Sequence, residues 1–309
     1  MEYQIVEATR WLQSPFFDAF FNVVSWFGTE LFFLIVFVGL YWAYKREYAL
    51  KFGLFYLVSV GVNSILKLAF NRTRPNGGKH SFPSGHSQTF AVQGSMITYE
   101  VFKNKAFTKG RRITLLLDII ISWVVIAYAR MYLNMHFLTD VLGGLFIAIL
   151  LVFVCEYLYS VIPARFKTIK VKHIIEYVLF GVCFVAMIVF SVVTPLMEKV
   201  ITDDSFLTIY WMFGAVMGVT LGDWLNDLFV KYDPSVDNAS ARVVKCLLGF
   251  GILAVYYYFI IIRFASRLAY FLPPAYLVMM FLATFLLPLV FKKWSNEEKR
   301  IDEFDRSSK

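Results

Sequence analysis

Residues 136–160 read HFLTDVLGGLFIAILLVFVCEYLYS, and this stretch is the clearest indication of the fold class. Between Asp140 and Glu156 it contains no charged side chain, and most of its residues are large and apolar. A helix that crosses a bilayer needs about 20 such residues in succession. The stretch therefore predicts a membrane-spanning helix whose first turn carries polar groups.

Further stretches of the same kind lie at 29–45, 48–70, 87–103, 112–130, 173–194, 205–230, 241–263 and 270–292. Together they predict an all-α integral membrane protein with about nine transmembrane helices. The composition agrees, since 59% of the 309 residues are hydrophobic and only 17% are charged. An average soluble domain is nearer half apolar and a quarter charged. This composition excludes a disordered chain and disfavours a soluble globular protein.

The chain divides into three predicted segments. Residues 1–28 are aromatic but interrupted by Pro15 and Asp18, so we expect an interfacial helical segment there. The beginning, MEYQIVEATRWLQ, lacks the pattern of a cleavable signal peptide. Residues 29–160 form a predicted helical core of five spans, and 161–309 a four-helix membrane extension with a charged tail. The three cysteines are scattered within apolar runs and predict buried free thiols.

The net charge of +8 is explained mainly by membrane orientation. With nine spans, 21 of the 30 basic residues fall on one side of the bilayer. Lys and Arg are enriched in cytoplasmic loops. We therefore expect a cytosolic C-terminus and an extracytosolic N-terminus, and the basic charge does not indicate a nucleic-acid partner.

Three clusters of polar residues converge on the extracytosolic side of this predicted topology. They are Lys67 with Arg74, then Ser84, Gly85 and His86, and finally Arg130, His136 and Asp140. The residue types suit phosphoryl transfer, because cations balance the phosphate charge and arginine binds its oxygens in pairs. A glycine-containing turn before a helix offers backbone donors to an anion. Two histidines can divide the roles of nucleophile and general acid between them. A carboxylate four residues after a histidine can orient its imidazole.

The order and spacing of these clusters resemble a known signature. Lys67-x6-Arg74-Pro75, Pro83-Ser84-Gly85-His86 and Arg130-x5-His136-x3-Asp140 look like the three-part motif of the type 2 phosphatidate phosphatase superfamily. By this resemblance His136 attacks phosphorus and forms a phosphohistidine, Asp140 orients it, and His86 protonates the leaving alcohol and then activates water. The phosphate-binding residues would be Lys67, Arg74, Ser84, Gly85 and Arg130, and no metal or other cofactor is implied. The family usually has Ser before the third-motif arginine, whereas this chain has Ala129.

The resemblance implies a lipid phosphate substrate whose head group reaches the extracytosolic face. The nine-span layout is similar to glucose-6-phosphatase and the sphingoid-base phosphate phosphatases. A small soluble ester such as a sugar phosphate, and a phosphotransferase reaction, are the alternatives within the enzyme class. Outside it, the alternatives are a lipid transporter and a catalytically inactive scaffold. A transporter would show related halves around a midplane site, and the sequence shows no internal symmetry.

Several other residues carry weaker expectations. Lys79, His80, Arg263 and Arg267 are candidate head-group contacts. A solvated loop position is favoured for Lys79 and His80, and interfacial anchoring explains Arg263 and Arg267 at least as well. Arg72 is interpreted as a solvated loop residue. Asp223 and Asp227 share one helical face and predict an interhelical ion pair. Gly214, Gly218 and Gly222 form a small-residue face for close packing, either within the chain or in a homodimer.

Overall fold

A computed structural model describes residues 1–161, 169–193, 204–264 and 269–294, and every regular element in these ranges is helical. The α-helices are α1 (Glu2–Thr9), α2 (Pro15–Trp26), α3 (Glu30–Ala43), α4 (Arg46–Phe70), α5 (Gly85–Lys103), α6 (Lys109–Tyr132), α7 (Leu138–Val161), α8 (Ile169–Val193), α9 (Asp204–Leu225), α10 (Ala239–Tyr256) and α11 (Leu272–Phe281). Short π-helical segments continue α9, α10 and α11 at Asn226–Val230, Tyr257–Ile262 and Leu282–Leu286. Single 3₁₀ turns occur at Arg10–Leu12, Pro234–Val236 and Ala269–Phe271.

Several helices begin where a polar side chain accepts a hydrogen bond from an otherwise unpaired backbone N–H group. Ser14 accepts from the Phe17 N–H at 3.3 Å, directly before Pro15 starts α2. Asn238 accepts from the Ala241 N–H at 2.8 Å at the start of α10. The helix boundaries therefore follow from local sequence, because capping residues and proline occupy the positions that favour a helix start.

Helices occupy all nine predicted stretches, but only six described helices are long and apolar enough to cross a membrane. A seventh span results if Pro15–Trp26 and Glu30–Ala43, which meet at 47°, count as one. Alone, α3 has 14 residues and extends about 21 Å, which is too short for the bilayer core. Helix α5 is long enough but not apolar enough to cross a membrane, because it carries buried polar residues that include Ser87, Gln88 and Gln93. The count of nine spans is therefore not confirmed.

The chain divides into two compact units, and the three predicted segments stay a prediction. The first consists of Met1–Val36 with Lys51–Val161, and the second of Phe37–Leu50 with Ile162–Lys309. The N-terminal segment belongs to the first unit, where Phe21 of α2 packs with Ala129 and Tyr132 of α6. All three polar clusters lie in this unit. The N-terminal helices are thus packed against the helices that carry the candidate site.

Within the second unit, the glycine face of α9 packs against α11 and the segment that follows it. A Cβ added to Gly214, Gly218 or Gly222 would overlap the carbonyl oxygens of Pro273 and Leu277 or the hydroxyl of Thr284. The internal alternative for this face is the one that the structure shows. The homodimer through this face stays a prediction.

A buried ionic network in the second unit joins the α3–α4 corner to α8 and α9. Asp223 is fully buried, and Arg46 Nη2 lies 2.7 Å from Oδ1 of both Asp223 and Asp227. Lys172 Nζ lies 2.5 Å from Asp227 Oδ2 and also contacts Asp223. The Tyr41 hydroxyl donates to Asp223 Oδ1 at 2.7 Å. The interhelical ion-pair interpretation of the two aspartates is therefore confirmed.

Candidate active site

The candidate site begins with the segment between α4 and α5, which carries Arg74. This segment folds into a tight turn in which the Arg74 N–H donates to the Gly78 carbonyl at 2.7 Å. The Gly77 N–H donates back to the Arg74 carbonyl at 3.0 Å, and Gly77 has a φ of 84°, which favours glycine. Arg74 Nε donates to the Lys79 carbonyl at 2.9 Å. The turn therefore fixes the Arg74 guanidinium through its own backbone.

Ser84 and Gly85 connect the start of α5 to α4 and α7. The Ser84 N–H donates to the Asp140 carbonyl at 2.9 Å, so the second and third sequence clusters are joined through the backbone. A Cβ added to Gly85 would lie 3.3 Å from Lys67 Nζ. The glycine therefore lets the ammonium group approach the N-terminus of α5, where backbone N–H groups favour an anion.

His136 and Asp140 form a buried pair at the start of α7. Their side chains are 2% and 0% exposed, and His136 Nδ1 lies 3.8 Å from Asp140 Oδ2. This distance is too long for a hydrogen bond, so the contact is electrostatic in this structure. Because Nδ1 faces the carboxylate, Nε2 is the nitrogen that remains for a substrate.

Burial lowers the pKa of His136 to about 4. The carboxylate of Asp140 opposes this shift, whereas the positive charges of Arg130, Lys67 and Arg74 add to it. The imidazole is therefore neutral at pH 7 and retains the lone pair that a nucleophile needs.

The carboxylate of Asp140 is held by donors from three directions. Oδ2 accepts from the Ser81 hydroxyl and from the Phe137 N–H, the latter at 2.8 Å. Oδ1 accepts from Arg72 Nη1 at 2.8 Å. The interpretation of Arg72 as a solvated loop residue is therefore wrong, because its side chain neutralises a buried carboxylate. Sequence position alone gave no sign of this partner, which is 68 residues away.

Arg130 is also buried, and its Nη1 donates to the Ser25 hydroxyl of α2 at 2.9 Å. Ser25 lies within residues 1–28, for which the sequence predicts an interfacial segment and no site residue. Ala129, which occupies the position where the family usually has Ser, is fully buried against Phe21 and Tyr132. In this chain a hydroxyl partner for the arginine thus comes from a different helix.

Buried amide side chains of α4 and α5 form hydrogen bonds next to the candidate site. Asn63 Nδ2 donates to the Pro83 carbonyl at 3.3 Å and to Gln88 Oε1 at 2.9 Å. Gln88 Nε2 in turn donates to the Ser59 hydroxyl and carbonyl, both at 2.9 Å. None of the three sequence motifs includes Ser59, Asn63 or Gln88, although polar side chains within apolar helices are a general signal of function.

Two matches with family models cover most of this architecture. Residues 48–164, which include all three sequence clusters, match the PAP2 superfamily. Residues 210–299 match the transmembrane extension of PAP2 superfamily phosphatases. The chain belongs to the PAP2 superfamily. The resemblance inferred from the three motifs is confirmed, and the second match assigns the C-terminal helices to a known extension.

This PAP2 superfamily chain is similar to several curated phosphatases. Phosphatidylglycerophosphatase B of Bacillus subtilis is 29% identical over 167 residues, covering 49% of this chain and 80% of that protein. Dihydrosphingosine 1-phosphate phosphatase of Saccharomyces cerevisiae is 21% identical over 232 residues, covering 70% and 55%. Lipid A 4'-phosphatase of Porphyromonas gingivalis is 28% identical over 164 residues, covering 45% and 64%. The chain thus spans less than two thirds of the last two relatives.

A solved structure also matches about half of the chain. It is the transmembrane PAP2 type phosphatidylglycerolphosphate phosphatase from Bacillus subtilis, with a TM-score of 0.47 and 27% sequence identity. The match covers 52% of this chain and 86% of that chain.

The four candidate head-group contacts differ in their surroundings. Lys79 is exposed, and His80 Nδ1 lies 2.9 Å from the Lys67 carbonyl oxygen. Arg263 belongs to the second unit, is exposed, and donates from Nε to the Tyr258 hydroxyl at 3.3 Å. Arg267 lies outside the described residues. Of the four, only Lys79 and His80 belong to the segment that also carries Arg74.

Proposed function

We propose that this PAP2 superfamily member is an integral-membrane phosphatase that hydrolyses a lipid phosphate, a phosphomonoester or diphosphate, through a phosphohistidine on His136. The observation that carries the proposal is the buried, neutral imidazole of His136, with Asp140 beside Nδ1 and three cations around it. A lipid substrate is supported by the relatives, whose names refer to phosphatases of phosphatidylglycerophosphate, dihydrosphingosine 1-phosphate and lipid A.

In the first step, the lone pair on His136 Nε2 forms a bond to phosphorus. The bond between phosphorus and the oxygen of the lipid alcohol breaks, and the imidazolium form of His86 gives its proton to that oxygen. Burial and the neighbouring charges of Arg130, Lys67 and Arg74 lower the pKa of His86 in the free site, and the negative charge of a bound phosphate offsets those cations and favours the imidazolium. Positive charge that develops on the imidazole is balanced by the carboxylate of Asp140. The product of this step is a phosphohistidine together with the free alcohol.

In the second step, His86 accepts a proton from a water molecule whose oxygen attacks the phosphohistidine. The bond between phosphorus and Nε2 breaks, inorganic phosphate leaves, and both histidines return to their starting states. Lys67, Arg74 and Arg130 stabilise the charge on the equatorial oxygens in both steps. Ser84 and the backbone at Gly85 supply further donors.

The intermediate provides the direct test. A radiolabelled lipid phosphate should transfer its phosphate to the wild-type protein, and the label should be stable to alkali and labile to acid, as a phosphohistidine is. His136→Ala should abolish both labelling and phosphate release, and His86→Ala should abolish phosphate release while the protein stays folded. Unchanged turnover in both variants would refute the proposal. Activity should persist in EDTA, and vanadate should inhibit it.

We further propose that the site faces the extracytosolic side and that the C-terminus is cytosolic. This is supported by the distribution of Lys and Arg along the sequence. The exposed residues Lys45 and Lys79 precede and follow α4, which is long and apolar enough to cross the membrane, and make a matched pair. In intact cells, a membrane-impermeant maleimide should label Lys79→Cys and not Lys45→Cys. The reverse pattern, or equal labelling, would contradict the proposed orientation.

A substrate panel separates the lipid from the remaining enzyme alternatives. Sphingoid-base, glycerolipid and polyprenyl phosphates should be hydrolysed in mixed micelles with much higher kcat/KM than a sugar phosphate. A higher kcat/KM for the sugar phosphate would favour the soluble-ester alternative. Transfer of the phosphate to an added alcohol at the expense of water would favour a phosphotransferase.

A further inference from the structure

A series of polar contacts leads from the buried Asp140 outward to the N-terminal helix. A buried carboxylate needs a compensating charge and hydrogen bonds. Among the described residues, the cation that donates a hydrogen bond to Asp140 is Arg72, whose Nη1 lies 2.8 Å from Oδ1. The same Nη1 lies 2.7 Å from the Thr139 hydroxyl. One edge of the guanidinium is therefore fixed against the first turn of α7.

The other edge of the guanidinium is held by α1. Arg72 Nη2 pairs with the carboxylate of Glu2, and the Thr139 hydroxyl donates to that same carboxylate. The guanidinium carbon lies 4.6 Å from the centre of the Phe137 ring, against which Tyr3 packs edge-on at 5.0 Å. The carboxylates of Asp140 and Glu2 lie at the two edges of the guanidinium, and the Phe137 ring lies beneath it. The planar group is therefore held in one orientation. A lysine ammonium, which is a point charge, could not reproduce this arrangement.

We propose that Arg72 and Glu2 are positioning residues for the Asp140–His136 pair, and that helix α1 is therefore part of the catalytic unit. The proposal rests on the proposed function, in which Asp140 orients the attacking imidazole. Arg72 and Glu2 act on His136 through the carboxylate of Asp140. Glu2 also lies outside residues 48–164, so the family match gives no indication of its role.

Steady-state kinetics on a micellar lipid phosphate test the proposal. Arg72→Ala should lower kcat by about 10- to 100-fold, since small displacements of a catalytic group have effects of this size. The KM should change by less than about threefold, because Arg72 is not assigned to phosphate binding. Arg72→Lys should restore only part of kcat. Glu2→Gln should lower kcat by about threefold, because a partly exposed ion pair is weaker.

The pH profile supplies a readout that a purely structural role would not move. Removing the positive charge beside Asp140 strengthens the field of its carboxylate at His136 and raises the pKa of the imidazole. The acid limb of kcat/KM should therefore move to higher pH in Arg72→Ala, whereas Arg72→Lys should leave it in place. The other charged and titratable groups that act on His136 stay unchanged in these variants; they are Arg130, Lys67, Arg74 and His86.

Glu7→Gln is the matched control, because Glu7 lies on the same helix and is exposed. It should keep wild-type kcat and the wild-type pH profile. The positioning role is refuted if Arg72→Lys and Glu2→Gln fold and retain wild-type kcat, or if Arg72→Ala folds and its acid limb does not move. Either result, with His136→Ala inactive, leaves the proposed function intact. Turnover by His136→Ala would instead refute the proposed function.

Discussion

The close contact between Gly28 and His86 makes the strongest prediction about catalysis. Gly28 lies in the break where α2 and α3 meet at 47°, and its carbonyl accepts from the Thr89 hydroxyl at 3.0 Å. A Cβ at this position would lie 2.7 Å from His86 Cβ, 2.9 Å from His86 Cα and 3.0 Å from His86 Cδ2. One of these atoms is backbone, so rotating the imidazole cannot relieve the overlap.

Gly28→Ala should therefore displace the start of α5 from the α2–α3 break. Restoring an ordinary contact of at least 3.4 Å from the 2.7 Å separation requires a movement of about 0.7 Å. Overpacking of this kind costs about 1–3 kcal/mol of stability. A displacement near 1 Å at a catalytic group costs up to about 100-fold in rate. We expect kcat to fall by about 10- to 100-fold while the protein still folds.

The assay compares phosphate release from a lipid phosphate with release from an aryl phosphate, normalised to folded protein in detergent. An aryl oxide needs little help from a general acid, so the defect of Gly28→Ala should shrink with the aryl substrate if His86 protonates the leaving group. Gly110→Ala is the matched control, because Gly110 has no neighbour within 4 Å of an added Cβ. Wild-type kcat in a folded Gly28→Ala variant would refute the reasoning.

Three further predictions concern the site and the second unit. Ser25→Ala removes the 2.9 Å hydrogen bond to the buried Arg130, and the inhibition constant for vanadate should rise by about tenfold. Burial lowers the pKa of His136 to about 4, so protonation of this imidazole should produce an acid limb in kcat/KM near pH 4 and no limb between pH 5 and 7. A kcat/KM that is independent of pH down to pH 3 would contradict this prediction. Asp223→Ala removes the fully buried carboxylate that Arg46 and Lys172 share, leaves Asp227 as their remaining acid, and should destabilise the protein by about 1–3 kcal/mol in thermal unfolding. The exposed Asp118→Ala should change stability by less than about 0.5 kcal/mol, and equal effects of the two aspartate variants would contradict the ionic network.

The all-helical fold and the residues of the three clusters could be predicted because their signals are local. Apolar runs of about 20 residues indicate helices whatever surrounds them. The spacing of four residues predicts that His136 and Asp140 pair, and they do so at 3.8 Å, although α7 begins only at Leu138 and His136 lies just before the helix. The number of spans could not be predicted in the same way. It depends on the 47° bend between α2 and α3 and on the polar residues that α5 buries against its neighbours.

The sequence by itself determined the helical class, the family and the inventory of charges and nucleophiles. Only the tertiary structure decided which distant groups complete the site. Arg130 meets Ser25 across 105 residues and Arg72 meets Asp140 across 68, while Gly28 packs on His86 from the break between α2 and α3. Such pairs leave no periodic pattern in either segment of the sequence. Helix packing brings the partners together, and each buried charge requires an opposite charge or a hydrogen bond.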